Sequence, residues 1–298
     1  MNISIITLPY NTEGKYTGGG AGPASLLSAG LIELLTEDKL KINEPVEVGL
    51  TADQECYGGW RLVGAANACL ADLTAGERDK NNFILGLLAN CNGVIGLLGG
   101  LQLNQADIQR PKRVGLVWID AHGDYNTPDT SPSGMLGGMP VAISAGKCLP
   151  NLRQQSGLRF PLQSPDIVMM GLRDLDQLEQ EQIEKDGIIT LTEQQLVDCS
   201  SDVDAAMQYL SEREDIIYVH VDLDILNPQL APAAGLPTPG GLSGQQLGES
   251  LRFLLRYPKV KALAMVSYKP IRDDQNFSTR KEIITAIRRG LQGINDRQ

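Results

Sequence analysis

Apolar residues along the chain gather into eight short runs, at 2–8, 46–50, 83–88, 113–119, 166–171, 187–190, 215–221 and 260–266. Continuous apolar runs of that length, bounded by glycine, proline and polar residues, predict strands buried on both faces. Between them the spacing predicts helices over 23–35, 59–76, 94–101, 202–212, 243–256 and 280–291. Pro23 opens the first of these in the helical turn where its missing N–H costs nothing. Strands alternating with helices, with neither a repeat nor a flexible linker, predict one domain over 1–298 of the α/β class. Its expected form is a three-layer α/β/α sandwich around a mostly parallel eight-stranded sheet.

Composition narrows this picture without changing it. With 298 residues, 42% of them hydrophobic and 21% charged, the chain can bury a substantial core and is ordinary for a globular protein. A net charge of -10 argues against nucleic acid or an anionic membrane surface as partner. No apolar run approaches the ~20 residues that a membrane-spanning helix needs. The start of the chain, Met1 to Thr7, has no basic segment before its apolar residues and reads as a strand, so a cytoplasmic location is expected. The five cysteines are odd in number and scattered, which suits a reduced compartment. The glycines at 18–20 and Gly22 have neither the lysine of a phosphate-binding loop nor the spacing of a dinucleotide fingerprint. Two long proline-rich loops, 125–138 and 227–241, are of a length that is often functional in compact domains.

The chemistry concentrates at two predicted strand ends. After the run 114–117 comes Trp118-Ile119-Asp120-Ala121-His122-Gly123-Asp124, and in extended backbone positions 120, 122 and 124 share a face. Two carboxylates and an imidazole so placed form a ligand set for a hard or borderline divalent metal, although a solvated acidic turn has the same composition. The second stretch, Tyr218-Val219-His220-Val221-Asp222-Leu223-Asp224, repeats the pattern. The chain has only two histidines, and each stands beside alternately spaced aspartates at a strand end. Two carboxylate-rich strand ends joined at one sheet edge could hold a pair of metal ions.

With both stretches in view the chain resembles the ureohydrolase (arginase and agmatinase) family along nearly its whole length. Asp120-Ala121-His122-Gly123-Asp124 completes that family's Asp-Ala-His-x-Asp motif, and Asp222-Leu223-Asp224 matches the core of its later motif. Asn126-Thr127-Pro128, Ser133-Gly134, Gly171-Leu172-Arg173-Asp174 and Gly240-Gly241-Leu242 follow in the family's order. The resemblance implies two divalent ions, manganese in the first instance, bridged by Asp120 and Asp222. Cys91 and Asp124 would complete one site, His122 and Asp224 the other. It also implies a metal-bridging hydroxide as nucleophile, with Asp124 orienting it and relaying its proton. Asn126, Ser133 and Asp176, with Glu179 acting through water, stand where arginases hold an amino acid's α-groups; turn or cap chemistry would use the same residue types. His220 is expected to donate a hydrogen bond to a ligand; direct ligation and a core histidine satisfied by backbone are its other readings.

Departures from the family bear on the substrate. Leu88-Ala89-Asn90-Cys91-Asn92 replaces Gly-Gly-Asp-His-Ser, which puts a thiol where the family has a histidine ligand. A thiolate favours softer metals than manganese, so the first site is expected to be weak or altered in selectivity; a small buried hydrophobe is the alternative role for Cys91. Gly137 stands where arginases carry a histidine, and Ser267 where they carry the carboxylate that holds the guanidinium. A less basic group tolerates both changes better, so the expectation is hydrolysis of N-hydroxy-L-arginine to ornithine and hydroxyurea in preference to L-arginine. An ordinary arginase, a formimino amino acid hydrolase and a binding or regulatory protein without catalysis are the alternatives. The family further implies a homo-oligomer, a trimer or hexamer, and a small guanidino-type amino acid as the partner molecule.

Overall fold

A computed structural model describes residues 1–104 and 106–297. Eight strands form the main sheet: β1 Ile3–Leu8, β2 Val46–Glu47, β3 Phe83–Leu88, β4 Val114–Ile119, β5 Ile167–Met170, β6 Ile189–Leu191, β7 Ile216–Asp222 and β8 Val260–Val266. Their spatial order is β2-β1-β3-β8-β7-β4-β5-β6, and every neighbouring pair is parallel. The expected architecture is therefore the observed one. Every residue of β1, β3, β4 and β7 is buried, which explains why these strands read as unbroken apolar runs.

Helices cover both faces. One layer packs Gly59–Asp79 and Gly93–Gln102 over side chains such as Ile84, Leu116 and Trp118. The other packs Ser201–Arg213, Gly244–Leu255 and Ser278–Asn295 over Leu85, Val117 and Val219. Alternate residues of one strand thus feed opposite cores, as a period of two requires.

The chain fills the centre of the sheet last. β7 and β8 slot between β3 and β4, so four strands from three parts of the sequence end side by side. Register keeps their ends level: Leu88 pairs with Val266, Val266 with Asp222, and Val221 with Ile119. Strand order reverses around this point, where open α/β sheets leave a crevice at their C-terminal edge.

Several elements differ from expectation. The helix expected over 23–35 is two, Gly22–Ser28 and Leu31–Glu37, because Gly30 takes φ 82° and breaks the hydrogen-bond ladder. The strand expected over 46–50 pairs only at Val46–Glu47. Helix Gln177–Lys185 was not expected; only Glu179 and Ile183 of its residues are buried, too few to set up an apolar period. The short helices Ala52–Glu55, Pro140–Ser144, Pro150–Gln155 and Glu193–Val197 escaped for want of length. A hairpin of Tyr10–Asn11 and Gly14–Lys15 also adds to the expected set.

Candidate metal centre

The edge where β3, β8, β7 and β4 end carries the acidic cluster. Cys91 follows β3 in the turn that leads into helix Gly93–Gln102, and Asp120, His122 and Asp124 follow β4. Asp222 closes β7, Asp224 lies in the 3-10 turn Leu223–Ile225, and Ser267 follows β8. Backbone amides hold one oxygen of three carboxylates. His122 N donates to Asp120 Oδ1 at 2.7 Å, Asp224 N to Asp222 Oδ1 at 3.0 Å, and Ala121 N to Asp224 Oδ1 at 3.2 Å.

Asp124 and Ser267 both adopt left-handed backbone, with φ 47° and 72°. Non-glycine residues rarely do so, and such strain gathers at functional sites. At Asp124 the turn is held because its carbonyl accepts from Val141 N and Ala142 N, 3.0 and 3.3 Å away at the start of helix Pro140–Ser144.

Two sets of donors result. Cys91, Asp120 and Asp124 each offer a ligand atom within 4.8 Å of the others, and so do Asp120, His122 and Asp224. Asp120 belongs to both. Asp222 joins the sets: its Oδ2 accepts from Cys91 Sγ at 2.8 Å and from Ser267 Oγ at 2.6 Å. His122 Nδ1 lies 3.1 Å from Asp224 Oδ2 and 3.4 Å from Asp120 Oδ1.

So many buried acids disfavour their own charge. Burial, then repulsion from Asp224 and Asp222, holds Asp120 well above the usual carboxylate range. Burial and Asp222 do the same to Asp124. Asp222 rises to about 7 through burial and the neighbouring Asp224, against the opposing bonds from Cys91 and Ser267. Burial and then Asp222 push the Cys91 thiol up as well. Burial pulls His122 down, yet its bonds to Asp120 and Asp224 carry it up to about 12. Within the cluster one imidazolium faces four buried carboxylates, and a pair of divalent cations would supply the missing positive charge. The donor set fits hard or borderline metals at His122 and the aspartates, with a softer donor at Cys91.

These residues line a cavity of about 550 Å³, together with Asn126, Ser133, Gly137, Asp176 and Glu179. Asn126 Nδ2 donates to Asp176 Oδ2 at 2.9 Å, so those two are already paired on the cavity wall. Ser133 is exposed at the mouth, and its Oγ accepts from Met135 N at 3.2 Å. Glu179 is buried, with Oε1 accepting from Tyr125 N at 2.7 Å, and burial raises its pKa.

His220 lies apart from the cavity. It is fully buried, stacked on Trp118 at 4.3 Å between ring centroids, with Nδ1 2.6 Å from the Tyr218 hydroxyl. Nε2 has no partner, and burial lowers the ring to about 3. The expected hydrogen bond from His220 to a metal ligand is therefore replaced by one with Tyr218, because the ring sits one pleat below Asp222 and lies flat on the indole.

Sequence reasoning missed several lining groups. Glu13, Ser131, Asp174, Lys269 and Arg272 also line the cavity, and Thr238, outside the lining, brings its Oγ1 to 3.5 Å from His122 Nε2. Lys269 stands three residues beyond the apolar run 260–266, in a loop where no local period marks it.

Comparison with known proteins places the same features in context. The profile of the arginase family matches residues 94–289. An arginase of Bacillus caldovelox is 31% identical over 283 residues, covering 92% of this chain and 93% of its own length. An arginase of Brevibacillus brevis is 29% identical, with 94% of each chain covered. The crystal structure of the arginase from Bacillus subtilis superimposes with a TM-score of 0.82 at 27% identity, covering 98% of both chains.

Proposed function

Because the chain belongs to the arginase family, we propose that it is a dinuclear-metal amidinohydrolase that cleaves a C–N bond of a guanidino-type amino acid. The observation that carries this reading is the pair of donor sets sharing Asp120 at the sheet's C-terminal edge. Cys91, Asp120, Asp124 and Asp222 would hold one divalent ion, and Asp120, His122, Asp222 and Asp224 the other, manganese being the expected metal. When bound, such ions act as Lewis acids and make water a nucleophile near neutral pH. Asp124, held in its strained turn, would orient that water and take up its proton. Asn126, Ser133 and Asp176 bind the α-groups at the cavity mouth, and Glu179 steadies the Tyr125 backbone behind them.

Similarity to proteins named arginase puts L-arginine first among the substrates, with ornithine and urea as products. A second reading, preference for N-hydroxy-L-arginine, is favoured by Ser267, whose hydroxyl donates to Asp222 and leaves no carboxylate for a guanidinium at that position. A cytoplasmic homo-oligomer, a trimer or hexamer, belongs to the same proposal. Among the described residues no helix is long and apolar enough to cross a membrane.

Turnover of L-arginine, N-hydroxy-L-arginine, agmatine and formiminoglutamate by manganese-reconstituted protein, with products identified, tests the proposal. Urea from L-arginine is expected. Faster release of hydroxyurea from the N-hydroxy compound would select the second reading, and formamide or ammonia from formiminoglutamate would replace both. A folded protein that retains no metal and turns over none of the four would sink the enzyme reading.

A further inference from the structure

The cavity that holds the acidic cluster also contains a lysine. Lys269 stands two residues beyond Ser267, and its Nζ donates to Gly235 O at 2.9 Å. Gly235 itself abuts the centre: a Cβ on it would lie 2.9 Å from Ser267 Cβ and 3.7 Å from Asp222 Oδ1. The side chain is half-buried, in the field of Arg272 and of the carboxylates Asp222, Glu13 and Asp224. One of its three N–H donors is engaged with Gly235, which leaves two for a ligand. Among the described residues the cavity's other lysine or arginine side chain is Arg272.

With metal bound, the aspartates of the cluster would be committed to it, leaving this ammonium, which lines the same cavity as Ser267, as a cation that a ligand's far end would meet. The geometry points to Lys269 as the residue that sets charge selectivity at the metal end of the pocket, disfavouring a cationic terminal group and favouring a neutral one that presents an acceptor. The inference rests on the amidinohydrolase reading for the pocket's orientation. Within that reading it bears on the choice between the two substrates, weighing toward the less basic N-hydroxy-L-arginine and against the cationic L-arginine. Like charges in a poorly solvated pocket repel strongly, and a neutral acceptor instead gains a charge-assisted hydrogen bond.

The test uses ligands with no bond for this chemistry to hydrolyse. L-lysine and L-norleucine differ chiefly in charge at the far end, so calorimetric Kd values on the manganese-loaded full chain read the selectivity directly. Norleucine is expected to bind at least as tightly as lysine. Lys269→Gln, which keeps a donor for Gly235 and loses the charge, should shift the ratio at least tenfold toward lysine; Lys269→Met should shift it alike, and Lys269→Arg should leave it within twofold. A ratio unchanged in the folded Gln variant, a shift in the Met variant alone, or no detectable binding of either ligand would overturn the inference. A protein that hydrolyses no guanidino compound but shows the tenfold shift would refute the proposed reaction and leave the role of Lys269 standing.

Discussion

At the scale of single residues, Cys91 is the most consequential departure. Its sulfur is buried against Asp222, and burial together with the surrounding carboxylates keeps the proton on the thiol. A ligand must give up that proton, and a thiolate offers manganese a poorer match than imidazole does. Cys91→His should therefore lower the manganese Kd at the first site by at least about 10-fold, the lower end of what changing a ligand's supporting residues does. Metal content per chain after dialysis against metal-free buffer reads this, and equal retention by both proteins would remove Cys91 from the ligand set. Asp120, His122 and Asp124 were legible as ligand types after an apolar run, but not through a shared strand face: the strand ends at Ile119 and Asp124 takes φ 47°, so a turn brings them together. Thr238 and Lys269 were not legible, since one comes up to His122 and the other to the cavity from loops whose paths local periodicity does not encode. His220 was legible as buried chemistry but not as Tyr218's partner: its face was evident, its depth was not.

At the scale of elements, the helix that follows Cys91 depends on glycines for its place. A Cβ on Gly100 would lie 2.4 Å from the backbone oxygen of Ala71, and one on Gly96 2.6 Å from that of Asn67, both in helix Gly59–Asp79. Alanine is the better helix former by ~1 kcal/mol. Here that gain is outweighed, because the obstructing atoms are backbone and the two helices must part. Gly100→Ala should cost about 1–3 kcal/mol of stability, the usual penalty of overpacking. It should lower the urea midpoint, and because the same helix begins two residues after Cys91, it should also weaken manganese retention. A midpoint at or above that of the wild type would show that the helix pair can absorb a methyl group. The small residues of the run 94–101 suggest a helix packed closely on the sheet; the close approach at Gly96 and Gly100 is instead to helix Gly59–Asp79. Helix Gln177–Lys185 was hidden by the opposite condition, a surface position with two buried residues and no apolar stripe.

At the scale of the molecule, buried acids sit at both ends of the sheet and respond to pH with the same sign. At the C-terminal edge Asp222 rises from 3.8 to about 7; at the N-terminal edge Glu214, just before β7, rises from 4.5 to about 7 through burial and the nearby Asp166. Glu214 is buried, and its Oε2 has no hydrogen-bond partner. A carboxyl whose folded pKa is raised binds more protons in the native state than in the unfolded one between the two values. Its stabilising contribution is complete below 4.5 for Glu214 and 3.8 for Asp222, and is lost as pH rises through about 7. Metal separates the two ends: divalent ions compensate Asp222 and its neighbours, while nothing bound at the C-terminal edge reaches Glu214. Manganese should accordingly raise the melting temperature more at pH 8 than at pH 5. Glu214→Gln, neutral at every pH, should raise the pH 8 melting temperature of the manganese-loaded protein by about 2–4 °C, the equivalent of 1 kcal/mol in a domain of this size. At pH 5, where Glu214 is mostly protonated in the fold, the two proteins should melt together. A wild-type drop between pH 5 and pH 8 that persists undiminished in the Gln variant would place the titrating strain at the metal edge alone.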